Sequence, residues 1–545
     1  MENGFVFSKC QKKGFSKIEE FLRSDKYAYL LTGGGGVGKT SMLKKIINKR
    51  EDIYFFCVAF TNKATGILRQ KIGRNKNSNA STLTQFLGKK MEYDINGKEI
   101  FSTKSVTKTI EYKINEMELD HKKYHEEKKE NCKIENCDYK MEYRQFVLIV
   151  DECSMITDDD FEMLNDDDLI RTGLKIIYVG DDYQLPPISK LSTLSKVFTS
   201  KYPKFEMTTI MRTNNNEIME LFQMLRQCID THEDPIKYFN YIQQKNQEKN
   251  DEKDEKKILI LDKKNFEEEI KKSKTEIDSK VVAWRHIAVD KYNKIIKDRK
   301  EGDPEFMKND KKQFSKYFKL GDNKFFREEH IIIEEVEYVT RGSEYFGDSF
   351  DSCIMRVRDE GGYVHTINKI IKKDIDKFDK VLTKKKNKIK RMIIKSEKKK
   401  KKENEKENTK KNKIDILSRE EISQLWEEFY KNKNMMNVPI KDAYGITTHC
   451  SQGSTYKKVY VDARDILYCK NKNQRLRMLY TAVSRASHGI VLTCNTNVKS
   501  KEPTKKCSSC HNNKSFLDFM SKKEGKEGTQ RLTCKNCRTR KKNNI

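Results

Sequence analysis

Gly33-Gly34-Gly35-Gly36-Val37-Gly38-Lys39-Thr40 follows the apolar run Tyr27–Leu31 and precedes the helix-prone stretch Ser41–Asn48. Strand, glycine loop and helix in that order make a phosphate loop. Glycines let successive backbone N–H groups turn towards one anion, and the positive end of the following helix adds to the field. Gly33 to Gly38, with Ser41 just beyond, are therefore expected to cradle the phosphates of ATP. Lys39 is expected to pair the β- and γ-phosphates, and the Thr40 hydroxyl to ligate Mg²⁺.

Working outward, further short apolar runs recur at Tyr54–Phe60, Phe146–Val150, Lys175–Val179, Val281–Ala283, Val459–Val461 and Ile490–Thr493. Runs of this length between helical segments read as buried parallel strands, which predicts an α/β chain with two parallel-sheet lobes. Ligands in such sheets sit beyond the carboxyl ends of the strands, and here the polar motifs stand there. Asp151 and Glu152 follow Val150; Asp151 is read as the second Mg²⁺ ligand and Glu152 as the group that polarises the attacking water. In Val179–Ile188 (VGDDYQLPPI) Gln184 is placed to sense the γ-phosphate, and Pro186-Pro187 stiffen the turn. Arg212 (TTIMRT) and Arg485 (AVSRAS) are the candidate charge stabilisers, Arg485 from the second lobe. A phosphate loop on one lobe and an arginine on another make the angle between lobes depend on the nucleotide. That is a motor.

The composition agrees. The 545 residues carry a formal net charge of +29, with 36% charged residues, which favours an anionic macromolecule as partner. The heavy use of Lys, Asn and Ile also fits an A+T-rich genome, and the longest lysine run reads as a solvated tract. No opening stretch has the order of a signal peptide and no apolar run is long enough to span a bilayer, so a soluble, intracellular protein is expected. Fourteen cysteines scattered through so long a chain point to a reducing compartment.

With these residues in view, the series Gly33–Thr40, Ala59–Ala64 (AFTNKA), Ser81–Gly88 (STLTQFLG), Val150–Met155 (VDECSM), VGDDYQLPP, MRT, Ile446–Thr455 (ITTHCSQGST) and LYTAVSRAS resembles the superfamily 1 DNA helicases. The similarity is to the RecD/Dda/Pif-type branch, which translocates 5′→3′ on single strands, and it spans about Gln11 to Thr493. The resemblance implies two RecA-like lobes and a motor that acts as a monomer on single-stranded and tailed duplex DNA. It implies that Gln11, in Cys10–Phe15 (CQKKGF), contacts adenine. Thr61, Asn62, Lys63 and Thr82 become the first lobe's DNA contacts. Thr448, His449, Ser451 and Gln452 become the second lobe's, with Gly453 coupling DNA to ATP. At Thr84 the chain departs from the family's usual histidine.

The expected domains are lobe one over 1–200, with 91–141 as an inserted strand-separating subdomain, and lobe two over 201–300 and 435–498. An inserted β-barrel-like subdomain occupies 301–383, where β-branched and aromatic residues alternate with polar ones. A Lys-rich disordered tract and connector runs over 384–434, and a zinc-binding tail over 499–545. In that tail Cys507-x2-Cys510 and Cys534-x2-Cys537 stand 23 residues apart, the spacing of a closed, structural Zn²⁺ site that would dock DNA or a protein partner. His121, His125, Cys132 and Cys137 form a less regular set in which solvated side chains are the simpler reading. Two other functions stay open at this stage: an RNA-directed translocase of the same superfamily, and a nucleotide-gated recruitment subunit with a vestigial ATPase. A large DNA virus would suit the composition. Replication, recombination and repair are all compatible with it.

Overall fold

The structure is a computed structural model that describes residues 7–73, 75–102, 106–116, 145–187, 194–209, 211, 216–248, 257–272, 278–298, 302–321, 323–404, 417–493, 504–506, 509 and 513–515. The chain forms two compact units, one of Met1–Phe86, Ser105–Asp298 and Tyr444–Ile545, the other of Leu87–Lys104 and Arg299–Ala443.

The first unit holds two parallel sheets. In the first, six strands lie in the order Ser78–Thr82, Ile53–Ala59, Gln145–Val150, Lys175–Gly180, Ala28–Gly33, Lys204–Met207. In the second, five lie in the order Gly445–Thr447, Ser279–Ala283, Tyr456–Val461, Ala486–Thr493, Ile258–Leu261. Every pairing in both is parallel. The strands are apolar along their length because helices cover both faces: Ala28–Gly33, Ile53–Ala59 and Lys175–Gly180 are buried at every residue. Leu31, Val58 and Val179 are wholly buried, each contributing about 1.5–3 kcal/mol. The lobe boundary falls later than residue 200. Leu30 to Gly33 pair with Lys204 to Met207, so this segment is the sixth strand of the first sheet.

The second unit is built on an antiparallel five-stranded sheet, ordered Val364–Ile370, Asp348–Asp359, His330–Ser343, Lys311–Phe314, Ile440–Asp442. The expectation of alternating strands between 325 and 369 is met by the middle strands. The ladder itself runs open from one edge to the other; the Val438 N–H donates to Asn368 O, and Lys369 Nζ to Val438 O, across its ends.

Two expectations change here. The tract from 384 was read as disordered, yet Lys372–Asn404 is one helix of 33 residues, followed by the helix Arg419–Met436; residues 405–416 lie outside the described residues. Among the lysines, Phe378, Leu382, Ile389 and Ile393 recur at helical spacing, and all are buried in one cluster with Ile422, Trp426 and Phe429. Residues 91–141 were assigned to lobe one. Their described beginning is a hairpin, Lys90–Tyr93 with Glu99–Ser102, that belongs to the second unit. Tyr93 stacks on Tyr430 at 4.9 Å between ring centres, its N–H donates to Ser423 Oγ, and Tyr430 donates to Gly97 O. A helix over 106–116 lies in the first unit. His121, His125, Cys132 and Cys137 lie outside the described residues.

Candidate nucleotide and nucleic-acid sites

The glycine loop leaves the carboxyl end of Ala28–Gly33 and enters the helix Lys39–Lys49 at Gly38, whose φ of +83° suits a residue without Cβ. A Cβ on Gly38 would stand 2.4 Å from Gln11 Nε2. Gln11 is fully buried: its Nε2 donates to Val37 O at 3.4 Å, and its Oε1 accepts from the Ser8 N–H that begins the helix Lys9–Arg23. The amide is thus a brace behind the loop, with both ends engaged. Lys39 Nζ donates to the loop's own carbonyls, Gly33 O at 2.6 Å and Gly34 O at 3.2 Å. The Lys39 side chain and the start of the next helix, Thr40 and Ser41, are partly or fully exposed.

Asp151 and Glu152 close the neighbouring strand Gln145–Val150. Burial, reinforced by Glu152, pushes the Asp151 carboxyl up to about 6, while Lys39 draws it back. Glu152 sits at φ +54°, a left-handed conformation that costs an L residue about 1–2 kcal/mol, and its N–H donates to Asp151 Oδ1 at 3.0 Å. A carboxylate held up by a second carboxylate is relieved by a cation. The oxygens of Thr40 and Asp151 are the hard donors that Mg²⁺ takes, so the residues fit the ion.

The next strand, Lys175–Gly180, ends in the loop Asp181–Pro187, and this loop is gripped by the second sheet's elements. Tyr480 donates to Asp181 Oδ2 at 2.8 Å and Arg226 Nη2 to Asp181 Oδ1 at 3.2 Å. The Leu185 N–H donates to Thr481 Oγ1, Gln452 Nε2 donates to Leu185 O, and Arg477 donates to the carbonyls of Asp182 and Gln184. Leu185 packs into the same core cluster as Val282, Val459 and Leu492. Asp181 is fully buried; burial pushes its carboxyl up, but Arg226 and Lys39 outweigh that and hold it below the usual carboxylate range. Gln184 is buried too, its Nε2 on Asp181 Oδ2 and its Oε1 without a partner among the described residues.

Arg226 is the residue that the sequence did not single out. It lies on the helix Asn216–Thr231, whose apolar face packs in the second sheet's core. Its guanidinium covers Tyr183 at 4.5 Å from the ring centre and reaches the phosphate loop, since a Cβ on Gly34 would stand 2.8 Å from Arg226 Nη2. Within LFQMLRQC its only signal is a cation inside an otherwise apolar helix. Arg485, by contrast, is buried inside its own lobe, donating to Thr481 O, Ser454 O and Ser484 Oγ. Arg212 lies outside the described residues.

The expected nucleic-acid residues fall at two strand ends. Ala59 and Thr82 are partners in register, and Thr61, Asn62 and Lys63 open the helix Asn62–Ile72, with Thr61 Oγ1 capping Ala64 N. Thr82 Oγ1 likewise accepts from Gln85 N. On the second sheet Thr448 and Ser451 are fully buried, their hydroxyls donating to Ala283 O and Thr448 O. They shape the turn; His449 and Gln452 are the more exposed members, and burial lowers the His449 pKa. A Cβ on Gly453 would stand 3.4 Å from Ala64 Cβ, so the two sets adjoin.

Residues 11–234 match the AAA domain family, and residues 442–493 match the UvrD-like helicase C-terminal domain. An ATP-binding lobe clasped at its phosphate loop by a helicase C-terminal domain decides the class. The chain is an ATP-dependent helicase. This helicase is 27% identical over 535 residues to an uncharacterised protein of Acanthamoeba polyphaga mimivirus, covering 88% of this chain and 98% of that one. Among solved structures it is similar to Bacteroides Pif1 bound to single-stranded DNA (15% identity, 90% and 92% of the two chains, TM-score 0.47). It is also similar to the Pif1 helicase of Candida albicans (15% identity, 92% and 97%, TM-score 0.43). No helix among the described residues is long and apolar enough to cross a membrane.

The cysteines Cys507, Cys510, Cys534 and Cys537 lie outside the described residues. Short strands Thr504–Lys506 and Asn513–Ser515 pair antiparallel, bracketing the segment that contains the first cysteine pair.

Proposed function

We propose that the protein translocates 5′→3′ on single-stranded DNA and unwinds duplexes, driven by ATP hydrolysis between the two parallel sheets. The observation that carries the reading is Arg226: a cation from the second lobe stands against Gly34 of the phosphate loop and is tied to Asp181 on the first. In this reading the loop N–H groups and Lys39 hold the phosphates, and Arg226 meets the terminal phosphate as it arrives. Thr40 and Asp151 would hold Mg²⁺, which would neutralise phosphate charge when bound. Glu152 accepts the proton of the attacking water, whose oxygen bonds to the γ-phosphorus as the bond to ADP breaks. The free Oε1 of Gln184 is available to orient that water. Arg212 and Arg485 act in this reading after a change of lobe angle, since the Arg485 guanidinium is satisfied inside its own lobe.

Because the Asp181–Pro187 loop is bonded to Gln452 and Thr481, a change at the phosphates moves the elements that carry His449, Gln452 and Gly453. Thr61, Asn62, Lys63 and Thr82 grip the strand on the other lobe, and alternation of the two grips advances it. The four tail cysteines take a structural Zn²⁺, a reading supported by their spacing and by the bracketing strands. Cleaving the chain after Ser500 is then expected to spare ATP hydrolysis. The mimivirus relative supports a viral setting.

The test is ATP hydrolysis with single-stranded DNA, RNA or neither, beside unwinding of duplexes with a 5′ or a 3′ tail. Stimulation by DNA with unwinding from the 5′ tail alone supports the whole reading. Stimulation by RNA alone would make it an RNA translocase, and absence of turnover would make it a recruitment subunit.

A further inference from the structure

The helix Lys372–Asn404 carries one regularity that the motor does not use. Lys380, Lys384, Lys388, Arg391, Lys395 and Lys398 recur at steps of four, four, three, four and three, and all six are exposed. Such steps keep side chains on one face, here over about 27 Å at ~1.5 Å per residue. The opposite face, with Leu382, Ile389, Ile393 and Ser396, is buried, so the row is held in place by the unit's core.

A solvated helix face ordinarily mixes acids with bases, because like charges one turn apart repel. Between Lys380 and Ser396 the sequence contains no Asp or Glu. The acids stand at the helix's start, where Lys373 pairs with Asp351 and Lys377 with Asp348. Beyond them no carboxylate among the described residues lies within ion-pair distance of the six cations. An uncompensated straight row of this kind is complementary to a straight row of anions.

We propose that this helix is a rail for the phosphate backbone of double-stranded nucleic acid. A duplex offers one charge per ~1.7 Å of axis, so the rail spans about eight base pairs. A single strand fits it less well. Sequence-tolerant binding of single strands uses aromatic platforms, and the large exposed apolar side chains of this helix are Met392 and Ile394, neither aromatic. The proposal rests on the nucleic-acid reading above and adds where the duplex ahead of the motor lies.

The experiment compares the full chain with a variant carrying Lys384→Gln, Lys388→Gln, Lys395→Gln and Lys398→Gln. Affinity for a blunt duplex and for a single strand of equal length is measured as a function of salt. The logarithmic salt slope for the duplex is expected to flatten by about 3–4, at ~0.9 per phosphate released, with single-strand binding unchanged. The four corresponding Lys→Arg changes are expected to keep the parent slope. An unchanged duplex slope overturns the rail, and so does an equal loss on both ligands. If the parent binds neither ligand, the nucleic-acid reading fails as well, an outcome distinct from the other two.

Discussion

The two parallel sheets of the first unit have the same architecture and opposite duties. The first ends in groups that do chemistry: the glycine loop with Lys39, the Asp151–Glu152 pair and Gln184. The second ends in a turn, Thr448–Gly453, whose buried hydroxyls are spent on its own backbone. What the second sheet adds is grip: Arg226, Arg477, Tyr480, Thr481 and Gln452 all bond to one loop of its neighbour. The difference teaches that nucleotide chemistry needs few residues on one sheet, whereas coupling needs a bonded surface between sheets. The antiparallel unit is a third case, with no phosphate motif and a long basic helix instead.

The sharpest way to break this division is Lys39→Ala. Phosphate release is expected to fall a hundredfold or more, the scale of removing a charge stabiliser, with single-strand affinity little changed. Normal turnover would move the chemistry elsewhere. Arg226→Ala tests grip. It strands the buried Asp181 carboxylate, so the first unit should lose about 3–5 kcal/mol in denaturant melts, and turnover should fall even where the protein stays folded. A variant that melts and turns over like the parent would remove Arg226 from the site.

Gly97→Ala carries the comparison into the second unit. At φ +75° an added Cβ would stand 2.6 Å from the Trp426 ring, an overpacking that costs about 1–3 kcal/mol. The second unit's melting should fall while ATP hydrolysis without nucleic acid persists; loss of both together would make the units one cooperative body. The smallest effect concerns pH. Burial lowers the Lys369 pKa to about 8, so between about pH 8 and 10 the unfolded chain binds more protons and the second unit gains stability as pH rises. Lys369→Met should flatten that rise in thermal melts, and a melting point that fell across the window in the parent would contradict the burial.

The strands of both parallel sheets were legible because each is a short apolar run buried on both faces, and the polar residues that follow such runs mark a ligand edge. The helix beyond Lys384 was not legible. Four apolar residues among many lysines pass for a solvated tract until Trp426 and Phe429, some forty residues later, supply the surface that buries them. The hairpin around Gly97 was misassigned for a similar reason, since its partners Trp426 and Tyr430 lie more than 300 residues away.

In the site itself, Lys39, Thr40, Asp151, Glu152 and Gln184 were named by local spacing. Arg226 escaped because nothing near it in sequence marks a cation that reaches a loop nearly 200 residues earlier. Local spacing by itself determined the phosphate cradle, the acidic pair and the parallel-sheet class, because those features depend on neighbours a few residues apart and on the period of apolar burial. Only the tertiary structure decided which arginine meets the cradle, that Gln11 braces it from behind, and that the lysine tract is a rail with one dry face. Each of these is a contact between distant segments, and its energy comes from burying charge or apolar surface that a lone segment leaves in water.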